Sequence, residues 1–289
     1  MKEPLTIAVG VDGSWADNGA VDWALHESRL SAAPVRVLYV VDTRPPLGPL
    51  NTPAAVEKAK QLVADVREYL DRNGRFALHT GVVLSGPPAH TLGQCTADDR
   101  MLVVGRHGRG MIGRLLIGST AEAVVYESGT AVVVVPPKWS PGEKTASIVV
   151  GVDEIERCEA AVAFAAGLAV ERGASIRLVH SWAAPTIFTG DPASAAGALD
   201  LARSYHNDRL AMIGQQCRRR FPAITFETEL RQGHRVAELI DAAEESDAQL
   251  LVVGGRSHRR VMAALLGATV RGILQHAACP IAIVHQHPL

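Results

Sequence analysis

The stretch from Val103 to Thr120, VVGRHGRGMIGRLLIGST, leaves an apolar run with five glycines and four basic residues and closes on Gly-Ser-Thr. Glycines admit a ligand close to the backbone, and free N–H groups at a helix start attract anions, so this composition suits phosphate. Two spacings can be read in it. Gly108-x-Gly110-x-x-Gly113 is a formal dinucleotide fingerprint. That motif has to follow the first strand, open a helix directly and be answered by an acid at the end of the next strand. Here it follows a fourth strand, Arg106 and His107 intervene, and the next strand ends in Val135-Pro136-Pro137 without an acid. A GxxxxGK loop followed by Ser or Thr is absent, and with it the phosphate-loop lysine of the standard NTPases. The second spacing is Gly105-x-x-Gly108, nine residues, then Gly118-Ser119. In this reading Gly105 ends a strand where a side chain would block a ligand, and Gly108 lets N–H groups approach phosphate oxygens. Gly118-Ser119-Thr120 opens the next helix with its positive dipole end, and the two hydroxyls add donors. Structural roles compete for the same residues. Ser119-x-x-Glu122 is a capping box, and Asp12 could serve a cap or a turn.

Such a stretch needs a sheet to present it. LTIAVGV (5–11) and VRVLYVV (35–41) read as buried strands, and FALHTGVVL (76–84), MLVVG (101–105) and TAVVVVP (130–136) as three more. Ser14 is placed to cap a helix over 16–31. AAVEKAKQLVADVREYLDRNG (54–74) is amphipathic, with Gly74 as its stop, and short helices are expected within 86–99 and over 120–128. The pattern then repeats. IAVGVD returns as IVVGVD, Asp12 as Asp153 and Gly118 as Gly267, with offsets of 141 and 149. The second copy has therefore gained residues internally, many of them in AAPTIFTGDPASAAG (183–197). Its strands are expected near 147–152, 175–181, 223–231, 249–253 and 280–284. PPKWSPGEKTA (136–146) is a linker, which divides the chain into 1–140 and 141–289. Alternating apolar strands and helices mean an α/β fold with a parallel sheet covered on both faces. Ligands of such sheets sit beyond the strand carboxyl ends, so Asp12 and the glycine stretch should share one site.

The chain of 289 residues is 47% hydrophobic, 20% charged and 4% aromatic, with a formal net charge of −1. Near-neutral charge argues against nucleic acid as a partner, and scarce aromatics against a base-stacking platform. Cys95, Cys158, Cys217 and Cys279 form no CxxC and read as free thiols. The opening MKEPLTIAVGVD lacks a secretory signal pattern, and no apolar run approaches the roughly 18 residues of a membrane span. A cytoplasmic protein without a membrane partner is expected.

The G-x-x-G-x9-G-S motif after a fourth strand, the VGVD start and the duplicated α/β unit closely resemble the universal stress protein family, in its tandem actinobacterial form, over essentially the whole chain. The resemblance implies five-stranded sheets of order 3-2-1-4-5, an adenine-nucleotide α-hydrolase-like fold, and ATP as ligand, with Mg²⁺ or Mn²⁺ as an accompanying ion. It implies that Asp12 meets the ribose, that the Val40 backbone faces adenine, and that Gly105, His107, Gly108, Gly118, Ser119 and Thr120 hold the phosphates. Arg106 and Arg109 are additional cations that could pair with phosphate. The second copy reads Gly254-Gly255-Arg256-Ser257, nine residues, Gly267-Ala268-Thr269. It keeps Asp153, Gly254, Gly267 and Thr269, but Ser257 replaces a glycine and Ala268 a serine. A weaker second site follows, which Arg256, His258, Arg259 and Arg260 could partly restore. Family members pair through their fifth strands, so the two copies are expected to form an intrachain pseudo-dimer, with a homodimer of whole chains left open. No catalytic residue is assigned. A nucleotide-dependent regulator of the stress response is the first reading; a slow ATPase and a nucleotide-independent dimerisation scaffold are the alternatives.

Overall fold

The computed structural model describes residues 5–44, 52–74, 78–108, 117–141, 147–184, 192–255 and 267–285. In the first half, β1 (Ile7–Gly10), β2 (Val35–Val41), β3 (Thr80–Ser85), β4 (Met101–Gly105) and β5 (Val132–Val135) alternate with α1 (Ala20–Ser31), α2 (Pro53–Asn73), α3 (Pro88–Cys95) and α4 (Ser119–Glu127). The second half repeats this with β6 (Ser147–Gly151), β7 (Ser175–Trp182), β8 (Phe226–Gln232), β9 (Leu250–Gly255) and β10 (Ile281–His285). Its helices are α5 (Ile155–Arg172), α6 (Pro192–Arg220), α7 (Arg235–Glu245) and α8 (Ala268–His276).

All ten strands join one sheet, in the order β3-β2-β1-β4-β5-β10-β9-β6-β7-β8. Each half is thus a parallel sheet of order 3-2-1-4-5, as the resemblance implies. Among the described residues the one antiparallel pairing is β5 with β10, where Val133 faces Ala282. These two residues are themselves related by the 149-residue offset, so a pseudo-two-fold axis passes between them. The expected pairing of the fifth strands is therefore present within the chain. The apolar strands are covered on both faces. Ile7, Val9, Val35, Val37 and Val133 pack toward α1, α2, α5 and α6. Ala8, Leu38, Leu102, Val132 and Val134 pack toward α3, α4, α7 and α8. Both layers continue across the seam, and each fully buried Val, Leu or Ile contributes about 1.5–3 kcal/mol.

Local chemistry moves two expected boundaries. α1 starts at Ala20, not at residue 16. Ser14 does not cap it, because its N–H and hydroxyl both donate to Asp12 Oδ1, at 2.8 and 2.5 Å. Asn18 does the work instead, its Oδ1 accepting from Ala20 N–H, while Gly19 turns the chain at φ 73°. The strand expected from 76 starts at Thr80; residues 75 to 77 lie outside the described ones, residues 78 and 79 are not strand, and His79 turns inward to accept the Val35 N–H at its Nδ1. Gly74 stops α2, but with extended backbone; a Cβ there would lie 2.8 Å from His79 Nε2. No disulfide joins any of the four cysteines; Cys95 is half-buried and the others are buried.

Candidate functional site

Register aligns the strand ends that build the site. Gly10 pairs with both Leu38 and Val104; β4 runs one residue past that level and β2 three, and the carboxyl ends of all three strands border one cleft. The cleft has a volume of about 360 Å³, within the range of small-molecule sites. Asp12, Val40, Gly105, His107, Gly108, Gly118, Ser119 and Thr120 all line it. Every expected residue of the first site that is described lies there, except Arg106.

The glycines are needed for close approach. A Cβ on Gly108 would come within 2.5 Å of Asp12 Oδ2, so the β4 loop rests directly on the acid that follows β1. A Cβ on Gly105 would meet the Asn18 side chain at 2.8 Å. Gly118 N–H donates to the Arg106 carbonyl at 2.8 Å, which draws the start of α4 onto the same loop. The N-cap of α4 is Gly118, and no side chain caps the helix. The capping box therefore does not form. Glu122 turns instead to Arg271 of α8, at 2.5 Å, and Ser119, at the first helical position, is exposed. The first N–H groups of α4 face the cleft without a side-chain acceptor, in the arrangement that binds anions. His107 contributes a buried Nε2 with no hydrogen-bond partner among the described residues.

Arg106 is a correction. Its guanidinium does not enter the cleft; the side chain is buried at 6% exposure and its Nη2 donates to the Ala277 carbonyl in the other half. Burial lowers its pKa from the ordinary arginine value. Position 106 has the parity of Leu102 and Val104, on the face of the sheet that carries α4 and α8, and past the strand end its long side chain reaches across to Ala277. Arg109 lies outside the described residues. Sequence reasoning missed Asn18 and an apolar wall of Leu38, Leu92 and Val104. The preference of Asn for helix starts could have flagged Asn18; the wall comes from three separate elements and had no local signal.

In the second half, Asp153, Gly254, Gly267 and Thr269 are described, whereas Ser257 and residues 256 to 260 are not. Asp153 stands opposite Arg235 Nη1 at 3.3 Å, and its carbonyl accepts from Arg209. Arg235 opens α7 at the position where Pro88 opens α3 and lines the first cleft. His180, the second-half counterpart of Tyr39, is structural. Its Nδ1–H donates to the Val152 carbonyl at 2.8 Å, and its Nε2 then accepts from His206 Nδ1 at 2.9 Å. Trp182 stacks on His206, and burial is the main cause that lowers the His206 pKa.

No group of three or more His, Cys, Asp or Glu residues fit to hold a metal occurs among the described residues. No helix among them is long and apolar enough to cross a membrane.

The chain matches the model of the universal stress protein family over residues 5–136 and again over 145–285. A universal stress protein of Mycobacterium tuberculosis is 32% identical over 294 residues, covering 98% of this chain and 97% of that one. Another, of Mycolicibacterium smegmatis, is 27% identical over 96% of each chain. Among solved structures, a universal stress protein from Archaeoglobus fulgidus superposes with a TM-score of 0.71 at 16% identity over 98% of both chains. A functionally unknown protein from Pseudomonas aeruginosa superposes with 0.64 at 11% identity, over 98% of this chain and 92% of that one. At these identities the two structures speak for the fold alone.

Proposed function

The chain belongs to the universal stress protein family, and on that premise we propose that its first half, up to about residue 140, binds ATP and acts as a nucleotide-dependent regulator. The observation that carries the reading is the convergence of Asp12, the orphaned His107 Nε2, Gly108 and the uncapped start of α4 on one cleft. These features fit a nucleotide. Leu38, Leu92 and Val104 offer an apolar wall for the base beside the Val40 backbone, and Asp12 accepts from ribose hydroxyls. His107, the glycine N–H groups, Ser119 and Thr120 serve the phosphates, with Arg109 as an added cation. The bound nucleotide supplies negative charge and hydrogen-bond acceptors to the start of α4, which no side chain caps. No side chain of the cleft is assigned to hydrolysis, so the role is occupancy rather than turnover.

The second half binds nucleotide weakly or not at all. Ser257 and Ala268 break the motif, and Arg235 pairs with the acid that would meet a ribose. Loss of a charge-assisted hydrogen bond costs about 1.5–3 kcal/mol, or about one to two decades of affinity. A dimerisation scaffold is the better description of that half.

The test is nucleotide released on denaturation of protein purified without added nucleotide, beside Gly118→Trp, with circular dichroism to show that the variant is folded. Close to one ATP per chain, absent in the variant, is expected. Two per chain would overturn the asymmetry. None, even after titration with ATP, would overturn the binding reading and leave the scaffold.

A further inference from the structure

One residue of the glycine stretch that turns away from the cleft carries a second message. Arg106 lies between Gly105 and His107, which both line the cleft, and its carbonyl receives the Gly118 N–H that fixes the start of α4. Its side chain leaves this loop and ends on the carbonyl of Ala277, the C-cap of α8. A cation is favoured at that pole of a helix. Two further contacts run from the second half onto α4. Arg271 holds Glu122 in its first turn at 2.5 Å, and His285 Nε2 donates to the Val125 carbonyl in its last turn at 2.6 Å.

Two of the three have no counterpart among the described residues, and the third, Glu122 with Arg271, lies on the axis and maps onto itself. The pseudo-two-fold axis relates position 106 to Gly255, where a Cβ would collide with the His285 ring. It relates His285 to Pro136, which has no side-chain donor, and Glu122 to Arg271 itself. Among the described residues, the Arg106 tie of the phosphate loop to the second half and the His285 tie to α4 thus have no counterpart around α8, whereas the Glu122–Arg271 pair is shared by both halves.

Resting on the binding reading above, we propose that the second half serves as a fixed clamp that preorganises the first half's phosphate loop, with Arg106 as its positioning residue. A half whose own motif is degraded would then set the affinity of the intact site. A loop fixed in advance loses less conformational freedom when a ligand arrives, so a clamp acts on the part of the ligand that the loop holds. It raises affinity for the phosphates and leaves the nucleoside end unaffected.

The test compares ATP with adenosine by calorimetric titration on the full chain, in the parent, Arg106→Met and Arg106→Lys. Methionine keeps the apolar stem and removes the donor; lysine restores one donor to Ala277. Loss of one such hydrogen bond predicts that Arg106→Met weakens ATP about tenfold, with adenosine unchanged and Arg106→Lys returning most of the loss. Hydrogen exchange without nucleotide reads the clamp by itself: amides from Gly118 to Glu127 should exchange faster in Arg106→Met and recover in Arg106→Lys. Equal ATP affinity in parent and methionine variant, parallel loss of ATP and adenosine, or unchanged exchange over α4 would each overturn the clamp. A parent that binds neither ligand would overturn the binding reading, and the exchange measurement would still decide the clamp.

Discussion

Gly108 and Asp12 touch so closely that neither can be considered alone. A Cβ at position 108 would lie 2.5 Å from the Asp12 carboxylate, so any side chain must push the loop off the acid or turn the acid out of the cleft. Gly108→Val should therefore weaken ATP at least about tenfold, the equivalent of one hydrogen bond to a charged group, with thermal stability little changed. Isothermal titration measures it, and unchanged affinity would show that the loop does not hold phosphate. The intact motif was legible in the sequence because its constraints are local: glycines where the backbone needs clearance, hydroxyls at a helix start. The direction of a side chain such as Arg106 was not, because the acceptor on Ala277 is 171 residues away.

At the level of elements, His79 shows how a single imidazole can set a strand edge. Its Nδ1 accepts the N–H that opens β2, which a protonated ring cannot do, and burial lowers its pKa. The unfolded chain takes up this proton near pH 6.5, and the folded chain only at lower pH. The unfolded state then binds more protons, so the contribution is complete above about pH 6.5 and declines as the pH falls toward the lowered folded value. Urea unfolding across this window should show stability falling with pH, and a shallower fall in His79→Gln; identical slopes would remove His79 from the account. Apolar runs located the eight inner strands in the sequence, since a buried strand must be apolar along its length, while the edge strands β3 and β8 are half-exposed and carry polar residues. Their starts were less legible. β3 begins at Thr80, after His79 has turned inward, and α1 waits for Asn18 because Asp12 has already engaged Ser14.

The whole molecule is held as one body by charge as well as by the continuous sheet. Glu27 of the first half and Arg172 of the second form an ion pair at 1% and 3% exposure, with the guanidinium over Trp23. Arg100 grips Glu171 through two bonds of 2.8 and 2.7 Å. Removing one partner of a buried pair strands the other charge, so Glu27→Gln should cost about 3–5 kcal/mol. Replacing both by leucine should cost much less, for the desolvation penalty disappears with the pair. Denaturant unfolding of the two variants checks this, and equal losses would refute it.

The sequence by itself determined the repeat, the strands of each half and the glycine motif with Asp12 of the first cleft, while the strand order came with the family resemblance. The repeat, the strands and the motif follow from patterns a few residues long, period and backbone clearance. Only the tertiary structure decided what the seam does. It sent Arg106 to Ala277, turned Glu122 from a cap to an ion pair with Arg271, and set Arg235 on Asp153. Each of these contacts joins elements far apart in the chain, and a charged side chain takes whichever partner the folded packing brings within reach.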